Sequence, residues 1–107
     1  MADDVIGEIE NEVRANKVLI YMKGTPSFPQ CGFSAATIEI FEEIDRPFKT
    51  VDILTAPAKR EAIKRYSNWP TIPQVYVNGK FIGGCDIVRE LHARGELQRI
   101  VDEAFQG

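Results

Sequence analysis

Gly24-Thr25-Pro26-Ser27-Phe28-Pro29-Gln30-Cys31-Gly32-Phe33-Ser34 is the stretch whose reading decides the fold. Ahead of it runs Val18-Leu19-Ile20-Tyr21-Met22, a short unbroken apolar run of the kind found in a buried strand. Behind it, Ala35 to Ile44 reads as a helix, with Ala36, Ile40, Phe41 and Ile44 turned toward a core. Cys31 therefore falls where the loop leaving a strand turns into a helix. The helix dipole and the unpaired N–H groups of a first turn favour a thiolate over a thiol. The thiolate is both the nucleophilic and the metal-binding form of cysteine. Three residues on stands Ser34, where a Cys-x-x-Cys pair would have its second sulfur. Cys31 must find its second sulfur, or its metal partner, elsewhere.

Working outward, Asp3 or Asp4 is a candidate cap for a first helix carrying Ile6, Ile9 and Val13. Lys17 to Met22 is the first strand. Arg46-Pro47 stops the helix behind Cys31, and Phe48 to Ile53 reads as a second strand. Pro57 sits in the first turn of a Lys- and Arg-rich helix ending near Ser67. Trp69-Pro70-Thr71-Ile72-Pro73 is irregular. Gln74 to Val77 and Lys80 to Ile82 flank Asn78-Gly79, a strong tight-hairpin signal. Gly83-Gly84 breaks the last strand, and helices follow over Asp86 to Ala93 and Glu96 to Phe105, separated by Gly95. The order is α-β-α-β-α-β-β-α-α. Two strands joined through a helix pair in parallel with a right-handed crossover, and the hairpin adds antiparallel strands. The expected architecture is α/β: a mixed four-stranded sheet flanked by helices on both faces, as one domain over residues 1–107. Open α/β sheets place their sites at the C-terminal ends of strands, where Cys31 lies.

The totals narrow the function. A length of 107 residues, 44% hydrophobic, suits a single small core. A net charge of −3 argues against general binding to nucleic acid or to an anionic membrane surface. No apolar stretch is long enough to span a bilayer. The acidic start, Met1-Ala2-Asp3-Asp4, carries neither a signal-peptide core nor a transit pattern. Two cysteines are too few for a disulfide scaffold. These features suggest a soluble protein of a reducing compartment, cytoplasmic or, as a processed chain, in an organelle matrix.

Other residues can join Cys31. Lys23 ends the first strand; a cation there lowers the thiol pKa or pairs with a ligand carboxylate, or is simply solvated. Pro73 precedes a strand and is a candidate cis bond, although an ordinary trans turn is the commoner arrangement. A cis turn facing Cys31 would leave the backbone of Ile72 free to pair with an extended peptide. Gly83-Gly84-Cys85-Asp86 opens a helix whose N–H groups can hold a carboxylate. Asp86 is either its N-cap or an acceptor for a ligand ammonium, and Cys85 is either packing or a second thiol near Cys31. Arg60, near the start of its helix, can reach over to clamp a carboxylate, whereas Lys59, Lys64 and Arg65 read mainly as a solvated face. His92 reads as a surface residue, and no protease-like triad or phosphate loop is present.

Met22-Lys23-Gly24-Thr25-Pro26, Pro29 to Ser34, Trp69 to Gln74 and Gly83-Gly84-Cys85-Asp86-Ile87 together resemble the monothiol glutaredoxins of the CGFS type. The resemblance spans nearly the whole chain. It implies a thioredoxin-like fold, a cis Pro73, and glutathione lying along a groove with its sulfur near Cys31. By matching position, Lys23 and Arg60 would hold the glycine carboxylate. Ile72, where many relatives carry an aromatic, would pair through its backbone, and Cys85 and Asp86 would hold the γ-glutamyl end. It also implies a [2Fe-2S] cluster bridging two subunits, and cluster-bridged heterodimers with BolA-like proteins. Such a cluster needs four thiolates; two copies of Cys31 and two glutathiones supply four. Exchangeable ligands suit a carrier that hands clusters to apo iron–sulfur proteins. The competing expectation is a glutathione-dependent thiol–disulfide oxidoreductase, in which Cys31 attacks a glutathionylated protein and a second glutathione regenerates the thiol. Ser34 in place of a resolving cysteine, and Gly32 where dithiol relatives have Pro, favour the carrier over an efficient enzyme. A third expectation, a module that recruits partners through its surface, would not need the thiol.

Overall fold

Residues 18–22 are apolar at every position because both faces of their strand are covered. In a computed structural model of the chain, residues 2–106 are described, the side chains of Ala2 and Asp3 excepted. The strands are β1 (Val18–Met22), β2 (Lys49–Asp52), β3 (Gln74–Val77) and β4 (Lys80–Gly83), in the sheet order β2-β1-β3-β4. β1 pairs in parallel with β2 and antiparallel with β3, which pairs antiparallel with β4. Alternation along β1 sends Val18, Ile20 and Met22 to one layer and Leu19 and Tyr21 to the other. α2 (Gly32–Ile44), α4 (Cys85–Ala93) and α5 (Glu96–Ala104) cover the first face, through Ile38, Phe41, Val88, Leu97 and Val101. α1 (Ala2–Ala15) and α3 (Pro57–Ser67) cover the second, through Ile9, Val13 and Ile63. This is the α/β, mixed-sheet, thioredoxin-like arrangement expected. Among the described residues, no helix is long and apolar enough to cross a membrane.

Element boundaries differ from the expectation for local reasons. α2 begins at Gly32, not Ala35: Cys31 is its N-cap, with extended backbone, and the Ala35 N–H donates to the Cys31 carbonyl at 2.9 Å. Gly32 and Phe33 are exposed, so the first turn carries no apolar pattern to betray it. α1 begins at Ala2, so Asp4 lies within the first turn rather than ahead of it; the side chain of Asp3 and all of Met1 lie outside the described residues. The N-cap of α4 is Gly84, which places Asp86 in the first turn and overturns the capping alternative for it. Asn78 and Gly79 both take positive φ, as a two-residue hairpin requires. The Ile72–Pro73 bond is cis, against the general preference for trans.

Candidate functional site

The end of β1, the starts of α2, α3 and α4 and the segment before β3 converge on one cleft. Its volume is about 580 Å³, and it is lined by Lys23, Cys31, Phe33, Arg60, Lys64, Trp69, Pro70, Thr71, Ile72, Pro73, Gly84, Cys85, Asp86 and Ile87. All seven residues singled out from the sequence, Lys23, Cys31, Arg60, Ile72, Pro73, Cys85 and Asp86, are brought together in it. They arrive on five different parts of the fold. Lys23 follows β1, Cys31 caps α2, Arg60 lies in the first turn of α3, Ile72 and Pro73 precede β3, and Cys85 and Asp86 open α4.

Cys31 is partly exposed and free, and Cys85 is free and buried. The Cys31 thiol is held below the ordinary cysteine range. The backbone N–H of Ser34 contributes most, burial works against the charge, and the Phe33 N–H, the Lys23 cation and the Ser34 hydroxyl add to the lowering. No well-formed hydrogen bond caps α2 from the Cys31 side chain, so the N–H groups act on the sulfur mainly as dipoles at a helix start. Ser34 is fully buried, and its Oγ accepts a hydrogen bond from the Lys23 N–H at 3.1 Å. It ties the first turn of α2 to the end of β1.

The loop between them folds tightly. Gly24 has φ +90°, and a Cβ there would lie 2.5 Å from the Phe28 carbonyl oxygen and 2.7 Å from the Gln30 nitrogen. The Gln30 N–H donates to the Lys23 carbonyl at 2.9 Å, and Gly24 and Pro29 form an isolated bridge. Cys31 is thus delivered by a loop closed at its base. Opposite, the Arg60 Nε and the Trp69 Nε1 are buried without a hydrogen-bond partner, and both residues line the cleft. Buried N–H donors left unpaired carry a free-energy cost that an acceptor on a bound ligand relieves.

Several lining residues were not among those singled out as site residues. Lys64 belongs by sequence to a solvated face, yet it lines the cleft with Arg60. Trp69 and Pro70 stand in a stretch whose sequence is only irregular, and the one signal there is the sole tryptophan of the chain. His92 lies at the end of α4, its Nε2 2.8 Å from Glu43 Oε2, outside the cleft lining, in keeping with a surface role.

An α/β sheet of this topology with a thiolate-favouring cysteine capping a helix beside a cis proline defines a thiol-site protein of the thioredoxin-like class. A family model described as Glutaredoxin matches residues 18–82, and the chain belongs to the glutaredoxin family. An uncharacterized monothiol glutaredoxin of Synechocystis is 50% identical over 105 residues, covering 98% of each chain. Glutaredoxin 4 of Escherichia coli K12 is 45% identical, over 92% of this chain and 85% of its own. A poplar glutaredoxin solved in solution in its reduced apo form superposes with a TM-score of 0.83 at 44% identity, covering 94% of this chain and 93% of that one. A buckwheat glutaredoxin solved with glutathione shares the fold, with a TM-score of 0.86 at 24% identity over 96% of this chain and 92% of that one.

Proposed function

We propose that the chain binds glutathione in the Cys31 cleft and, as a pair of subunits, carries a labile [2Fe-2S] cluster to apo iron–sulfur proteins. The observation that carries this reading is the charge pattern around a single thiolate-favouring cysteine. Cations from Lys23 and Arg60 and the acidic first turn of α4 line one cleft with Cys31. Glutathione has a carboxylate at each end, an ammonium at one end and a thiol between. Lys23 and Arg60 take the glycine carboxylate, for which the unpaired Arg60 Nε supplies a donor. The backbone of Ile72 takes the cysteinyl portion. The free N–H groups at Cys85 and Asp86 take the γ-glutamyl carboxylate, and the Asp86 carboxylate takes the ammonium.

The same donor set suits the cluster as cargo. Among the described residues no three potential metal-ligating groups cluster, and of the two cysteines lining the cleft Cys31 is the partly exposed one while Cys85 is buried, so one chain offers a single accessible thiol. Two copies of Cys31 and two glutathione thiolates supply the four sulfurs a [2Fe-2S] cluster takes. A BolA-like protein replacing one copy would give the heterodimer. The site of action follows the same reading: a thiol-keeping compartment, cytoplasmic or an organelle matrix.

The test is anaerobic reconstitution with iron, sulfide and glutathione, read by visible absorbance and by sizing with and without glutathione. The expected result is a coloured dimer that needs glutathione and is lost in Cys31→Ser but kept in Cys85→Ser. The partly exposed Cys31 thiol, held below the ordinary cysteine range, also supports a second reading, a one-cysteine glutathione-dependent oxidoreductase. A colourless monomer that reduces glutathione mixed disulfides would establish that reading instead.

A further inference from the structure

We propose that Asp52 is a positioning residue for the cleft: its Oδ1 ties the strand end that carries Lys23 to the strand end that leads to Arg60. Asp52 closes β2, and it lies outside the cleft lining. Its Oδ1 accepts from the Gly24 N–H at 3.0 Å and from the Leu54 N–H at 2.9 Å. Both strand ends are thus gathered on one oxygen. Around it the Ile53 N–H donates to the Met22 carbonyl at 3.0 Å, and the Thr55 hydroxyl donates to the Asp52 carbonyl at 3.1 Å.

The two directions from that oxygen lead to two elements that line the cleft. Through Gly24 it fixes the base of the loop that ends in Cys31, because the Gln30 N–H closes onto the Lys23 carbonyl. Through Leu54 it fixes the entry to α3, on whose first turn Arg60 stands. Parallel strands splay at their ends, where ladder hydrogen bonds stop. A carboxylate oxygen accepting from both backbones replaces the missing rung and sets the spacing of the two cations.

The charged groups sharing the cleft with Cys31 are Lys23 from the end of β1, Arg60 and Lys64 from α3, and Asp86 from α4. Removing the Asp52 charge alone would favour the thiolate slightly. Loosening Lys23 would disfavour it. The two effects have opposite signs, which makes the proposal testable on the full chain by the pH profile of Cys31 alkylation with iodoacetamide. Asp52→Ala loses both hydrogen bonds, and Asp52→Glu keeps the charge but moves the oxygen by one methylene. Both are expected to move the profile to higher pH by about half a unit, roughly a threefold slower reaction at neutral pH. Asp52→Asn keeps an Oδ1 that can take both bonds and is expected to leave the profile at the wild-type position or slightly below it, never above it.

A common downward shift in the Ala and Asn variants would overturn the proposal in favour of charge alone. Lowered thermal stability with an unmoved profile in Ala and Glu would overturn it in favour of a purely structural role. Should Asp52→Ala fail to fold, the Glu and Asn variants decide by the same signs. A parallel titration with glutathione by calorimetry rests on the binding reading above, and Asp52→Glu is expected to weaken binding several-fold. If the wild-type chain binds no glutathione, that reading fails while the alkylation result still judges Asp52.

Discussion

The charge on the Cys31 sulfur is favoured by the helix-start N–H groups of Ser34 and Phe33, the Lys23 cation and the Ser34 hydroxyl, and opposed by partial burial. The sign of the pH dependence follows. A lowered thiol keeps its thiolate to lower pH, so alkylation of Cys31 should be half-maximal below the ordinary cysteine value of about 8.5. The rate should fall as pH drops through the lowered value. Lys23→Met removes one cause and should move the midpoint upward without abolishing the shift, since the Ser34 N–H contributes more; rate measurements from pH 5 to 10 check both. Burial also separates the two thiols, because Cys85 is 6% exposed while Cys31 opens on the cleft. Alkylation of the folded chain should therefore stop at one label, counted by mass.

Between elements, the loop from β1 to α2 depends on Gly24. Any side chain there would strike the Phe28 carbonyl and Gln30 nitrogen, and φ +90° is a region L residues avoid. Gly24→Ala should cost at least about 2 kcal/mol, and should slow Cys31 alkylation as the loop reopens; thermal unfolding and labelling together measure it. On the opposite face, Lys59 of α3 donates at 2.8 Å to both Glu8 and Glu12 of α1, and the Tyr21 hydroxyl donates to Glu12 at 2.7 Å. Burial works against the Lys59 charge, yet the Glu12 and Glu8 carboxylates outweigh it and hold the ammonium above the ordinary lysine range. A raised folded value means that the contribution is complete below the unfolded lysine value of about 10.4 and is lost only as pH rises through the folded one. Lys59→Met should thus destabilise by roughly 1–2 kcal/mol, between exposed and buried pairs, with no change in that cost from pH 6 to 9. Denaturant melts at three pH values decide it.

Across the whole molecule, two apolar layers clamp the sheet, and the layer under α4 and α5 supports the start of α4 at the cleft. Leu97 is fully buried in it, so Leu97→Ala should lose about 2–5 kcal/mol, seen as a fall in Tm of roughly 10 °C or more. What the sequence by itself determined was local in origin. Five apolar residues in a row marked β1, Asn78-Gly79 marked the hairpin, and Cys31 with Gly32 behind a proline-bearing loop marked the reactive thiol. Each rests on contacts within a few residues, where side-chain period and turn chemistry act directly. The start of α2 at Gly32 was hidden because Gly32 and Phe33 face solvent and the buried residue of that turn, Ser34, is polar. Only the tertiary structure decided that Lys64 and Trp69 reach the cleft, that Ser34 is wholly buried beneath Lys23, and that Asp52 joins two strand ends. Those contacts span 11 residues of chain for Ser34 and 28 for Asp52, and no periodicity in a sequence reports which distant backbone N–H a carboxylate will meet.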